Sequence, residues 1–404
     1  MPISVLYIHH CGSFGGASRS LLEMIRAFPS GSIKPHLITQ KGNVAIIFEK
    51  EGIPVIDTLG ISQFDNTRYG YYRKFRWLLL VREFFYGFFT LHSIFRAKRK
   101  WNNIDLIHIN EITNIFSIFI SKLLFGKPVI VHCRSVQQNK AAPLRYSFVN
   151  TVVAKYADFV IAIDNSVKKS LSINLKTAVV HNGLNMDEGE KNNNSKKFDC
   201  LISAPRGYLK VAMVGNLLVF KGVGEFIEAA KYCIDKKLKI VFYLIGGNPD
   251  SKDSIRTSIL KKIKLFHNVE SDIRKFIQRF KLDDHLHLID FTSDIHKVYE
   301  AVDILCFPSH LNAVGRPVLE AALFKVPSIV AITNPMDDTI IDNETGICIK
   351  PKDPKGLADA IEYFYSRPEE IKRMGELAYK LALKNFDIKK NARKILDIYE
   401  QHIK

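Results

Sequence analysis

Residues 309–330, SHLNAVGRPVLEAALFKVPSIV, carry the side chains best placed to hold an anion beside a polyol. Apolar runs flank this stretch at 302–307 and 327–331, each short and β-prone like a buried parallel strand. Between them Pro317 suits the start of a helix, having a fixed φ and no N–H to leave unpaired, and Val326 before Pro327 ends it. A helix that opens behind a parallel strand aims free N–H groups and a positive dipole end at the carboxyl edge of the sheet, which suits a phosphate. Gly315, Arg316 and Val318 stand at that opening. Glu320 lies one turn inside, where a carboxylate can accept from the hydroxyls of a ribose or a sugar. The dipole alone favours a first-turn Glu by about 0.3–1 kcal/mol, so position by itself leaves both readings open.

Further loops follow predicted strands. GNLLVFKG at 215–222 puts Lys221 at the head of a helix, where the dipole disfavours a cation unless a phosphate is near. In HHCGSFGGAS at 9–18, Gly15 and Gly16 let backbone approach a ligand, and a packing turn is an equal reading. The G-x-G-x-x-G spacing is missing and no acidic residue closes the second strand, which disfavours a nicotinamide cofactor. His132 ends the strand predicted at 128–132 and Arg134 follows, a place for a ligand contact or for a buried structural histidine. The sequence has no D-x-D pair and no His/Cys cluster with metal spacing, so no metal or other cofactor is expected. Lys221, Arg316 and the helix N-terminus are left to meet the charge of a leaving diphosphate.

These loops need a rigid frame. Strand-like stretches at 3–8, 35–39, 54–57, 104–109, 128–132, 159–163 and 178–180 alternate with helical ones such as 17–28 and 44–51. A second series runs through 208–215, 240–246, 285–289, 304–307, 328–332 and 347–349, closed by helices at 356–366, 369–385 and 388–403. Such alternation implies βαβ units and parallel sheets covered on both faces. With 404 residues the chain is too long for one ordinary domain. The expected division is an α/β pair of tandem Rossmann-like domains at 1–190 and 205–385, a polar linker at 191–204, and a final helix at 386–404.

The spacing of Asp303, Pro308, Ser309, Asn312, Gly315, Arg316, Pro317, Val318, Glu320, Val326 and Pro327 resembles the donor-site signature of the retaining nucleotide-sugar glycosyltransferases of family four, whose two domains form the GT-B fold. Asn182-Gly183, Gly246-Gly247 and residues 343–346 match as well, and the resemblance is fullest over 211–359 and faintest over 61–103. It implies two domains facing across a cleft, with the last helix returning to the first. It also implies sugar transfer from a nucleotide-diphosphate donor to an acceptor hydroxyl with retained configuration, the acceptor side lying on the first domain. On this resemblance Gly15 and Gly16 face the donor phosphates and the acceptor, and His132 touches the donor sugar. Glu320 and position 312 meet hydroxyls, while Gly215, position 216, Lys221, Gly246, Gly315, Arg316 and Val318 hold the donor. The chain departs from the family twice: Asn312 stands where an acidic residue is usual, and Asn216 where an Arg is usual, with Arg316 as its substitute. Rival readings are an epimerase of the same architecture working without acceptor, and a non-catalytic nucleotide-sugar-binding relative.

Composition narrows the partners. A formal net charge of +17 calls for an anionic partner: nucleotide, nucleic acid or membrane surface. The six cysteines are scattered without a C-x-x-C pair and read as reduced thiols of a cytosolic protein. The first residues read as a strand rather than a signal peptide, and no run of about 18 uncharged apolar residues is present to span a bilayer. Residues 68–100 hold nine Lys/Arg, one acidic residue and eleven aromatics. Two amphipathic helices packed on the first sheet would account for them. So would a segment lying in a membrane interface, with Arg73, Lys74 and Arg76 near anionic headgroups and Arg134 serving the same acceptor side. The aromatics stand in blocks poorly interleaved for base stacking, so nucleic acid is not expected. The expectation is a cytoplasmic enzyme peripheral to the inner membrane face, with a saccharide or lipid-linked acceptor of a bacterial surface polysaccharide pathway.

Overall fold

The computed structural model describes residues 2–68, 70, 72–186, 202–247, 269–292 and 294–403. The chain forms two compact units, Met1–Asn185 with Phe386–Lys404, and Met186–Asn385. The expected linker at 191–204 lies outside the described residues except for 202–204.

Unit 1 is built on a parallel sheet of seven strands: β1 Ile3–His9, β2 Ile33–Gln40, β3 Val55–Thr58, β4 Leu106–Ile109, β5 Val129–Cys133, β6 Phe159–Ala162 and β7 Thr177–Val179. Their order is β3-β2-β1-β4-β5-β6-β7, so the winding reverses between β1 and β4. In an open α/β sheet that reversal leaves a crevice outside the carboxyl ends. Alternate residues fill opposite layers: Leu6 and Ile8 enter one apolar cluster, Val5 and Tyr7 the other. The second cluster is completed by the last helix, Ile388–Ile403, through Ala392, Ile395, Leu396 and Tyr399. Each such Leu or Ile taken from water contributes about 1.5–3 kcal/mol.

Residues 74–100 form a 3-10 turn, Lys74–Leu78, running into one helix, Leu79–Lys100, where a pair of ordinary amphipathic helices was one expectation. The helix buries Glu83, Thr90, Ser93, Ile94 and Ala97, and leaves its large aromatics outside.

Unit 2 carries a six-stranded parallel sheet: β8 Leu209–Val214, β9 Ile240–Ile245, β10 Leu286–Ile289, β11 Ile304–Phe307, β12 Ser328–Ala331 and β13 Gly346–Ile349. The order β10-β9-β8-β11-β12-β13 places the reversal between β8 and β11. The stretch 309–330 therefore starts at the switch point of this sheet. Its helix is Arg316–Leu323, capped by Gly315, with Arg316 first and Pro317 second.

Candidate active site

In unit 2 the loops that leave β8 and β11 are fastened to each other. The backbone N–H of His310 donates to Phe220 O at 2.9 Å, and its Nε2 lies 2.8 Å from Glu225 Oε1 in the helix Val223–Asp235. Gly222, at φ 83°, lets the first loop press on the second: a Cβ there would lie 2.0 Å from Pro308 O. Gly246 serves β9 likewise, because a Cβ would lie 1.9 Å from Gly215 O. Lys221 closes a 3-10 turn, Val219–Lys221, one residue before the Gly222 cap, where a place at the helix head was expected. Its Nζ sits 5.7 Å from the centre of the Phe307 ring and 5.8 Å from that of Phe220. No carboxylate among the described residues pairs with it, and burial pushes its ammonium pKa down. A nearby diphosphate would reverse that shift, since an opposite charge favours the charged form. Asn216 is exposed beside it.

The helix behind β11 holds its polar side chains in defined places. Glu320 is 8% exposed, and both of its oxygens are engaged: Oε1 accepts from Arg316 Nε at 2.6 Å and Oε2 from Tyr299 OH at 3.0 Å. Without ligand the carboxylate is paired along its own helix, because i and i+4 side chains meet on one face. Arg316 is correspondingly held along the helix instead of projecting from it. Val318 packs its side chain into the apolar cluster with Phe307 and Val330, and its N–H donates to Gly315 O at 3.1 Å. Asn312 takes φ 49° and its Oδ1 accepts from Thr333 N at 2.5 Å and Thr333 Oγ1 at 3.0 Å, binding the loop to the chain after β12. Asn tolerates that left-handed backbone better than most residues. Its oxygen does the tying that either an amide or a carboxylate can do, and its NH2 remains for a ligand. Gly315 is forced by packing, since a Cβ would lie 2.1 Å from the Phe307 ring.

At the switch point of unit 1, β1, β4 and β5 deliver a buried polar network. Asn110 lies 2.9 Å through Nδ2 from His9 Nδ1 and accepts Arg134 Nε through Oδ1 at 2.7 Å. Arg134 also donates from Nη1 to Asn182 Oδ1 at 2.5 Å and reaches His132 Nδ1 at 3.4 Å. Glu111 takes Ser135 Oγ at 2.8 Å, and burial raises its carboxyl pKa. Tyr399 of the last helix lies 2.6 Å from His108 Nδ1. Desolvation, reinforced by Arg134, holds His9, His108 and His132 below the usual imidazole range, so these rings are neutral. This network fixes where Arg134 and His132 stand. Arg134 is held as a clamp between Asn110 and Asn182. His132 is 2% exposed and lines a small cavity with Ser20, Met24 and Asn391. Gly15 and Gly16, by contrast, are exposed, and a Cβ on either would meet nothing within 4 Å. The packing turn in that loop belongs to Gly12, whose Cβ would strike Lys41 O at 2.4 Å.

Residues 202–381 match the family model described as Glycosyl transferases group 1, and residues 14–188 match Glycosyltransferase Family 4, so between them the two take in most of the chain. The chain belongs to the group 1, family 4 glycosyltransferases. Among its relatives is an Escherichia coli protein named UDP-Gal:alpha-D-GlcNAc-diphosphoundecaprenol alpha-1,3-galactosyltransferase, 23% identical over 77% of this chain and 78% of its own. Another is the Staphylococcus aureus capsular polysaccharide biosynthesis glycosyltransferase CapM, 25% identical over 60% of this chain and 62% of its own. The crystal structure of HepE from Anabaena with UDP and glucose shares the fold, with a TM-score of 0.74 at 17% identity over 98% of this chain and 99% of its own. The two Rossmann-like units of this glycosyltransferase are thus those of the GT-B fold.

Several groups of the glycosyltransferase escaped the sequence reading. Tyr299, Asn110, Tyr399 and the His310–Glu225 pair are brought together from elements far apart in the chain, and nothing local marks the first three or Glu225. His310 alone had a signal, as a polar residue just past the Pro308 that ends a buried strand.

Proposed function

We propose that the enzyme moves a sugar from a nucleoside-diphosphate sugar to a hydroxyl of a lipid-linked saccharide, with retention, in bacterial surface polysaccharide synthesis on the cytoplasmic side of the membrane. What carries this is one juxtaposition in unit 2: two fastened loops behind neighbouring parallel strands, with Lys221 held by aromatic rings and no carboxylate paired with it among the described residues. A diphosphate is the group that fits there. The names of the E. coli and S. aureus relatives support the acceptor class, and the HepE complex supports a nucleotide donor.

In this reading Lys221, Gly215, Asn216 and the N-terminus of the helix Arg316–Leu323 take the diphosphate, with Arg316 released toward it from Glu320 when donor arrives. Glu320 and the Asn312 amide then meet donor hydroxyls, and Gly15 and Gly16 leave room above the first unit's sheet. The bond from the anomeric carbon to the diphosphate oxygen breaks, a bond to the acceptor oxygen forms on the same face, and the acceptor proton passes to the departing diphosphate. The protein contributes by positioning and by stabilising the departing charge. Because side-chain cations meet that charge, turnover survives excess chelator; activity abolished by chelator and restored by magnesium or manganese refutes this. The decisive assay measures nucleotide release from a panel of donors with and without a polyprenyl-diphosphate saccharide. Release that requires acceptor supports transfer, interconversion of free sugars without acceptor supports an epimerase, and binding without turnover supports a non-catalytic relative.

A further inference from the structure

The helix Leu79–Lys100 is inverted relative to a surface helix of a water-soluble protein. Its inward face is largely polar: Glu83 Oε2 accepts from Gln63 N at 2.8 Å, Thr90 Oγ1 accepts from Ser62 N at 2.8 Å, and Ser93 is buried beside them, with Ile94 and Ala97 as the apolar part. Its outward face is apolar, with Phe84 65%, Phe85 56% and Phe88 59% exposed, and Phe75 of the preceding turn 86% exposed. The Phe84 ring stands edge-on to those of Phe85 and Phe88, so these side chains form one cluster. Underneath, ring contacts run from the exposed Trp77 through the buried Tyr72 and the half-buried Phe64 to the exposed Phe148 on the helix Pro143–Tyr156, so these aromatics stand on one packed base. Monomers in water rarely keep a contiguous apolar surface of this kind uncovered.

We propose that this face is a membrane-docking surface that lies flat in an anionic leaflet, with the aromatics among the upper acyl chains and Arg73, Lys74, Arg96 and Lys100 at the headgroups. By length and composition 74–100 could cross a bilayer. The bonds from Gln63 and Ser62 argue against that, because crossing would break them and leave Glu83 and Arg82 in hydrocarbon. A second copy of the chain is a poor occupant. Residues 68–100 carry nine Lys/Arg and one carboxylate, so an isologous contact on this face would set mostly like charges against one another. Anionic lipid supplies the opposite charge, and the mixture of aromatics and basic residues is that of interfacial segments. The inference extends the reading of a lipid-linked acceptor but needs no donor or turnover for its test, so either can fail alone.

The test is co-sedimentation of the full chain with vesicles of phosphatidylcholine alone and of phosphatidylcholine mixed equally with phosphatidylglycerol. Expected are binding to the mixed vesicles, its decline with salt, and a drop of on the order of tenfold or more on replacing Arg73, Lys74, Arg96 and Lys100 by Gln. Phe84→Ser with Phe88→Ser should lower binding similarly while leaving the thermal midpoint unchanged, as both rings are exposed. Phe88→Trp should show a blue-shifted emission on the mixed vesicles. Equal negligible binding to both vesicle types overturns the proposal, as does binding indifferent to all these substitutions. Self-association in the absence of lipid that Phe84→Ser with Phe88→Ser abolishes would assign the face to a second copy and overturn it as well.

Discussion

Lys221→Met separates what this lysine does for a ligand from what it does for the fold. In the free protein the ammonium is half-buried over Phe307 and Phe220 with no carboxylate beside it, so burial opposes its charge. Met keeps most of the volume and removes the cation. Stability without ligand should therefore hold or rise, because no ion pair is lost and a desolvated charge is relieved. Donor affinity should move the other way: one charge-assisted hydrogen bond to a diphosphate is worth about 1.5–3 kcal/mol, or roughly ten- to a hundredfold in Kd. Calorimetric titration with a panel of nucleoside diphosphates, beside thermal unfolding of the ligand-free protein, reads both. Unchanged affinity for every nucleotide refutes the assignment. Weaker binding that travels with a lower midpoint refutes it too, since the lysine would then be serving the fold.

Acid should unfold the first unit early. His10 and His108 titrate near 4 and 3 in the fold against an ordinary 6.5, chiefly through burial, and His9 and His132 are lowered in the same sense. Because the folded values are depressed, this stability is fully present above pH 6.5 and is lost as pH falls toward the folded values, by about 1.4 kcal/mol per pH unit for each ring. A midpoint that stays flat from pH 7 to 5, or a slope that His108→Gln does not reduce, contradicts this. Asn312→Asp keeps both bonds from Thr333 and should change stability by under about 0.5 kcal/mol, whereas Asn312→Ala should cost about 1–2 kcal/mol; equal losses on denaturant titration would show that the tie is unimportant. Gly222→Ala meets both φ 83° and the Pro308 carbonyl, so it should cost more than the roughly 1–2 kcal/mol of the backbone alone and weaken nucleotide binding with it. A variant as stable as the parent would mean that the two loops are not pressed together there.

The thirteen strands among the described residues were legible because parallel strands buried on both faces are near-continuous apolar runs, and the turns behind them announce themselves through Gly and Pro. The loops at Gly215 and Ser309 were legible for the same reason. What those loops' side chains touch was not. Glu320 is engaged by Arg316 one turn away, which helix spacing allows, but also by Tyr299, which only the fold brings near. Arg134 read as an outward cation because nothing in sequence tells a buried guanidinium from an exposed one; its partners Asn110 and Asn182 come from other segments. The helix Leu79–Lys100 defeats pattern reading most thoroughly, since the usual rule sends Phe inward and Thr outward and here the fold does the reverse.

The last helix has a consequence for the order in which the molecule can be made. Ile388–Ile403 fills the second apolar layer of unit 1, and Leu184 N donates to Phe386 O at 2.7 Å while Ile388 N donates to Leu184 O at 3.1 Å, so the chain leaves and re-enters this unit side by side. During synthesis the first half emerges with part of that layer uncovered and the Tyr399 partner of His108 still untranslated. Unit 2, continuous in sequence, has everything it needs before then. The nascent N-terminal half must wait, exposed to chaperones and proteases, for residues made some two hundred positions later, and a stop codon just before residue 388 would strand unit 1 while sparing unit 2.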